Sequence, residues 1–334
     1  MSPGPHAVEI TASDRSNNVS ERSAALNVVL RARTVESVAS TTAHGNSRNE
    51  AELLVGALVN VADIAALPDG TVIIGEERGR ILTTSPGKLP TTAVDLRTLD
   101  QSTTQIELLA VAIAPDFAET HAVFAAYNTH RGLRLARFTE SNGVLLNHAV
   151  LREDLSIVAP FAASAALGVG PDSKIYLAIN DQVFRLNLDG STPADGSVSG
   201  LFSVGVRQPE KLSWNLGEQV MWLLGSTPQG GSELQAIALD DRGRGTVLRS
   251  YALGPLSLTS VAFIPESPGR SSRLMVTVRN SNDLLQWDTS EGELDHAVWL
   301  SGSQRDSATA IVSQSGSLWL ASRSALFRID LSRQ

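Results

Sequence analysis

The chain has 334 residues, 42% of them apolar and 19% charged, with a net charge of -8 and no cysteine. That length and apolar content support a large buried core, and no run approaches the roughly 20 apolar residues of a membrane span. The acidic balance, with a pI near 5.3, argues against a nucleic-acid partner, and the lack of cysteine excludes disulfides, thiolate metal sites and cysteine nucleophiles.

Residues 1 to 50 are rich in Ser, Thr, Asn and Arg and read as a flexible extension. Their one apolar piece, Ala24 to Leu30, is expected as an isolated strand. The basic start, apolar core and cleavage site of a secretory signal are missing from this segment, so the expected location is cytoplasmic. From Ala51 onward the pattern changes to short apolar or β-branched runs bounded by Gly, Pro, Asp and Asn, such as "TVIIGEE", "KIYLAIN" and "SLWLASR". Residues 51 to 334 therefore read as all-β.

One unit recurs along this region: an apolar strand, a turn and a second strand. With Pro68, Pro115, Pro171, Asn215, Pro265 and Gln314 as register marks, the spacings are 47, 56, 44, 50 and 49 residues. Each unit runs on into further short strands, among them "GRILTT", "QVFRLNL" and "ALFRIDL". Six copies of a four-stranded antiparallel unit predict a six-bladed β-propeller, with blades beginning near residues 59, 106, 162, 206, 256 and 305. Ala51 to Leu58 is placed to complete the last blade and close the ring. Stacked sandwiches give no reason for six equal repeats, and WD repeats run shorter, at about 40 to 45 residues.

In a propeller the loops entering the innermost strands meet at one mouth of the central channel. Eight positions before each mark stand Asn60, Glu107, Ala163, Arg207, Ser257 and Asp306, with Asp63, Gln208 and Arg305 nearby. Glu107 and Asp306 are the candidate general acid and base, and Arg207 the candidate group for binding a carboxylate or polarising a carbonyl. The same pattern is also that of a solvated structural ion pair. Glu76, Glu77 and Arg78 read as a charged strand end, and Trp214, Trp222, Trp287, Trp299 and Trp319 as blade core. There is no G-x-S-x-G, H-E-x-x-H, P-loop or EF-hand pattern.

Several segments resemble the glucose/sorbosone dehydrogenase family, soluble sugar dehydrogenases that use pyrroloquinoline quinone (PQQ) and calcium on a six-bladed propeller. They are "LPDGTVIIGEERGRI", "ELLAVAIAPDFAETHAVFAAYN", "GPDSKIYLAIND", "VFRLNLDGSTPADG", "GVRQPEKLSWN" and "PQGGSEL", in the family's order across most of residues 51 to 240. The resemblance implies a catalytic His ahead of the third blade's turn, as the base that takes the proton from the sugar's anomeric hydroxyl. Ala162 stands at that place, with Ser164 and Ala165 where the resemblance implies glycines. Arg207 matches an arginine that contacts PQQ in the family. The calcium loop is matched by Gly225 to Glu233, where Pro228 and Glu233 would serve a retained ion and Gln229 is expected to bind the ligand. The family's "R-I-R-D" element is matched by Asp306 to Thr309.

These observations leave three readings. The first is a repurposed propeller that binds a small molecule in its funnel, as a binding protein or a non-redox isomerase, cyclase or lyase, with no cofactor predicted. The second is a divergent dehydrogenase that keeps PQQ and calcium, and the third is a protein-interaction scaffold. Binding of PQQ separates the first two, and a ligand in the funnel sets both apart from the third.

Overall fold

The structure is a computed structural model that describes residues 4–8, 26–30, 51–99, 105–153, 155, 164–194, 201–203, 206–226, 231–240, 245–253, 256–265, 272–279, 281, 283–288, 296–300 and 308–331. Two compact units make up the chain, residues 1–45 and residues 46–334. In the first, β1 (Gly4–Val8) pairs antiparallel with β2 (Leu26–Leu30), from Gly4 opposite Leu30 to Val8 opposite Leu26. The run 24 to 30 is thus not the isolated strand expected from its sequence. A lone strand leaves a row of amide and carbonyl groups unpaired, and a hairpin partner satisfies one edge.

The second unit is the expected six-bladed propeller. The first blade is β4 (Val61–Ala66), β5 (Val72–Glu76), β6 (Arg80–Thr84) and β7 (Thr91–Asp95). A short helix, α1 (Leu96–Leu99), follows it. The second blade is β8 (Ile106–Ile113), β9 (Ala122–Thr129), β10 (Gly132–Ser141) and β11 (Val144–Arg152), with α2 (Phe117–Thr120) in its first turn. β12 (Ala165–Val169), β13 (Ile175–Ile179), β14 (Gln182–Leu186) and β15 (Leu201–Ser203) form the third. β16 (Arg207–Asn215), β17 (Val220–Ser226), β18 (Ser232–Leu239) and β19 (Gly245–Ala252) form the fourth. The fifth is β20 (Leu258–Ile264), β21 (Arg273–Val278), β22 (Leu284–Asp288) and β23 (His296–Leu300).

The sixth blade joins both ends of the ring. Its strands β24 (Ala308–Gln314), β25 (Ser317–Ser322) and β26 (Leu326–Asp330) are completed by β3 (Glu52–Val55), with Leu326 opposite Val55 and Phe327 opposite Leu53. This is the closure expected of Ala51 to Leu58. Each innermost strand packs on the next around the ring, and β24 on β4.

Why the strands read as near-continuous apolar runs follows from this packing. Successive side chains on a strand point to opposite faces, and in a propeller both faces meet a neighbouring blade. On β20, Val261 and Phe263 join the layer shared with the fourth blade, while Ala262 and Ile264 join the layer shared with the sixth. Among the described residues six such layers, one per blade interface, make up the core. Close approach is built in at Gly168 on β12, where a Cβ would lie 2.3 Å from Leu212 Cδ1 of the fourth blade. Trp222, Trp287 and Trp319 are buried as expected, and Trp214 packs edge-on against Tyr176. The Trp299 side chain lies outside the described residues. Exposure rises on the outer strands, as on β19.

Among the described residues, five innermost strands carry a register shift near their start, against β5, β9, β17, β21 and β25. The first paired residue after the shift is Asp63, Ala110, Lys211, Ser260 and Ala310 in turn. A bulge of this kind re-aims the side chains beside it. Three blades therefore bring a small residue to this level of the channel wall, and two bring a charged one.

Candidate functional site

At the channel mouth lies a cavity of about 220 Å³ to which all six blades contribute. Residues at the starts of innermost strands line it, including Asp63, Glu107, Ser164, Glu210, Lys211 and Thr309. A second set lines it from the ends of second strands: Glu77 after β5, Arg279 after β21 and Arg323 after β25. The two sets meet because antiparallel pairing brings the end of the second strand beside the start of the first. Backbone hydrogen bonds hold them together, from the Glu77 amide to the Asn60 carbonyl at 2.9 Å and from the Arg279 amide to the Ser257 carbonyl at 2.6 Å.

The charged groups of this lining form three cross-blade pairs. Lys211 Nζ donates to Asp63 Oδ1 at 2.5 Å, with both side chains buried. Arg279 donates to Glu210 Oε1 at 2.8 Å and, through Nε, to Ser257 Oγ at 3.1 Å. Arg323 faces Glu77 at 4.0 Å, a loose and largely exposed pair. Glu107 Oε2 accepts from Asn128 Nδ2 at 3.0 Å and borders the cavity. Burial pushes the Glu210 carboxyl above the usual carboxylate range, against the opposing pull of the Arg279 guanidinium. A carboxyl tuned upward in a cavity, with an arginine on one oxygen, is a candidate for giving and taking a proton.

Of the residues singled out in the sequence, Asp63, Glu107 and Ser164 line the cavity. Ser257 braces Arg279 from behind, and Asn60 enters β4 with a positive φ of 48°. Gln208, exposed and at φ 46°, meets Ser226 Oγ at 3.5 Å. Glu233 lies within its sheet, accepting from Gln235 Nε2 at 2.9 Å and from Ser250 Oγ. Arg207 opens β16 with only its backbone described, while Ala162, Pro228, Gln229, Arg305 and Asp306 lie outside the described residues. Among the described residues no three His, Asp or Glu side chains gather closely enough to hold a metal ion.

Sequence reasoning passed over Glu210, Lys211 and Arg279, and it read Glu77 only as part of a charged strand end. A signal for them was present. In the first, fifth and sixth blades the residue after the second strand reaches the cavity, so the repeat register leads to Glu77, Arg279 and Arg323 as directly as to Asn60.

The family model for glucose/sorbosone dehydrogenase matches residues 58–241, more than half of the chain. The fold is similar to the PQQ-bound aldose sugar dehydrogenase of Streptomyces coelicolor, at 15% identity and a TM-score of 0.67 over 84% of this chain and 98% of that one. It is also similar to a putative oxidoreductase (glucose dehydrogenase) of Thermus thermophilus, at 20% identity and a TM-score of 0.66 over 84% and 99%. A virginiamycin B lyase of Staphylococcus aureus shares the fold at 12% identity and a TM-score of 0.52 over 85% and 99%. No curated protein sequence matches the chain. Likeness at these identities establishes the propeller alone, which both sugar dehydrogenases and a lyase use. The family follows from the sequence match: this chain belongs to the glucose/sorbosone dehydrogenase family.

Proposed function

We propose that the funnel binds a small polar molecule and that its chemistry is proton transfer rather than PQQ-dependent oxidation of a sugar. One observation carries the reading: each described cation of the cavity already faces a carboxylate of the protein. PQQ bears three carboxylates and needs cations free to meet them. The described lining does not fit it, because Asp63, Glu77 and Glu210 stand where its charges would have to pair and Glu107 adds a fourth negative group. The cavity, at about 220 Å³, is also smaller than the roughly 300 to 1,000 Å³ of most ligand sites. That suits one small molecule.

In this reading Glu210 is the group that exchanges a proton with the ligand. Arg279 holds one of its oxygens and offers its remaining guanidinium hydrogens to an oxygen of the ligand. Glu107 is the second acid–base candidate, joined by Arg207 and Asp306 from the sequence. The alanine at position 162 supports the same reading, since it cannot accept a proton where the family resemblance implies a base.

Calorimetric titration with PQQ and calcium ions, followed by dye reduction on aldoses, tests the reading. The expected result is no tight binding and no reduction. Tight PQQ binding with dye reduction would overturn it and restore the dehydrogenase.

A further inference from the structure

We propose that Asp63 and Lys211 form a strap across the propeller axis that closes the central channel and makes the funnel blind. Asp63 belongs to the first blade and Lys211 to the fourth, which stand opposite each other in a ring of six. Both occupy the position just after the bulge of the innermost strand, where Ala110, Ser260 and Ala310 of other blades are small. Among these five positions, long or charged side chains thus meet only as one oppositely charged couple.

Asp63 is held on every side. Its Oδ1 accepts from the Ile64 amide at 2.9 Å and from Lys211, and its Oδ2 accepts from the Val111 amide of the second blade at 3.0 Å. The carboxylate therefore ties three blades together, and two backbone amides fix it independently of Lys211. Lys211 sends a second, longer contact to the Ile64 carbonyl at 3.5 Å, and it lines the cavity. A buried ammonium ion needs such a partner, because an unpaired charge at this depth is strongly unfavourable. Asp63 is accordingly a positioning residue: it holds the Lys211 amine in place. The strap deepens the reading of the funnel as a ligand site, resting on that reading only for its role as the floor.

The chain has only three lysines, Lys88, Lys174 and Lys211, which makes a direct test practical. Brief treatment of the folded protein with an acetylating N-hydroxysuccinimide ester, read by peptide mass, compares their rates. The amine must leave its carboxylate and meet the reagent to be acylated, so Lys211, buried and ion-paired, is expected to label at least about 10-fold more slowly than the exposed Lys88. In Asp63→Asn the Lys211 rate rises toward that of Lys88. Equal rates in the natural protein, or a Lys211 rate that Asp63→Asn leaves unchanged, would overturn the strap.

Should Asp63→Asn fail to fold, a second measurement decides. Lys211→Met alone strands the Asp63 carboxylate and is expected to lower Tm by roughly 6 to 10 °C, whereas Asp63→Asn with Lys211→Met recovers most of that loss. A double variant no more stable than Lys211→Met alone would refute the pairing. A strap that fails here leaves the ligand reading of the funnel standing, and a funnel that takes no ligand leaves the strap standing.

Discussion

Two clusters of charge, at opposite ends of the blades, are built in contrasting ways. In the third blade Arg185 Nη2 and Tyr176 Oη both donate to Asp172 Oδ2, at 2.8 and 2.9 Å, within 13 residues of chain. The knot braces the turn between β12 and β13 and drives the Tyr176 phenol far above its ordinary range through burial and the adjacent carboxylate. At the funnel, Asp63 meets Lys211 across 148 residues and Glu210 meets Arg279 across 69, each pair spanning blades. The first cluster stabilises one hairpin. The second exists only once blades have packed together, and it borders the cavity, so the same chemistry braces a turn at one end and lines a cavity at the other.

The comparison breaks most readily at Arg185. Arg185→Met leaves a partly buried carboxylate and a buried phenol without their main donor, and it should cost about 3 kcal/mol in chemical denaturation. It should leave Lys211 labelling unchanged, since the two ends are separate. Gly168→Ala presses a methyl group into the interface of the third and fourth blades, at an expected cost of about 1 to 3 kcal/mol. A milder loss there would show that Leu212 has room to turn away.

Glu210→Gln tests the funnel side through pH. Because the carboxyl is raised in the folded state, the folded protein binds this proton more tightly than the unfolded chain. Its contribution is most favourable below the unfolded pKa and declines as pH rises through the folded value. Thermal unfolding between pH 4 and 7 should therefore show the natural protein losing stability relative to Glu210→Gln as pH rises. A difference that is flat in pH would mean the carboxyl is not tuned. The smallest effect is expected at the ring closure, where Glu52→Gln removes an exposed partner of Arg328 at 2.9 Å and should change stability by under about 0.5 kcal/mol.

Much of the ring is legible in the sequence. Pro68, Pro115 and Pro171 mark turns because proline and aspartate favour them, and the near-continuous apolar runs report burial on both faces. The closing role of Ala51 to Leu58 followed from counting strands. The lining was half legible: the repeat register reached Glu107, with Asp63 close to Asn60, and the family resemblance pointed to Ser164, and all three enter the cavity at the starts of strands. Glu77, Arg279 and Arg323 enter at the ends of second strands, and a register tied to first strands alone does not reach them. The run 24 to 30 was read without its partner because β1 lies outside the repeat.

The sequence by itself determined the six blades, their order, the strand that closes them and the family to which the chain belongs. Those features rest on local turn chemistry and on a repeat that every blade carries. The tertiary structure decided which charges meet. Lys211 looks like an ordinary strand residue until the ring places it across the axis from Asp63, and Glu210 is unremarked until Arg279 arrives from the next blade. Pairing across a closed ring depends on the distance between blades rather than along the chain, and no local pattern records that distance.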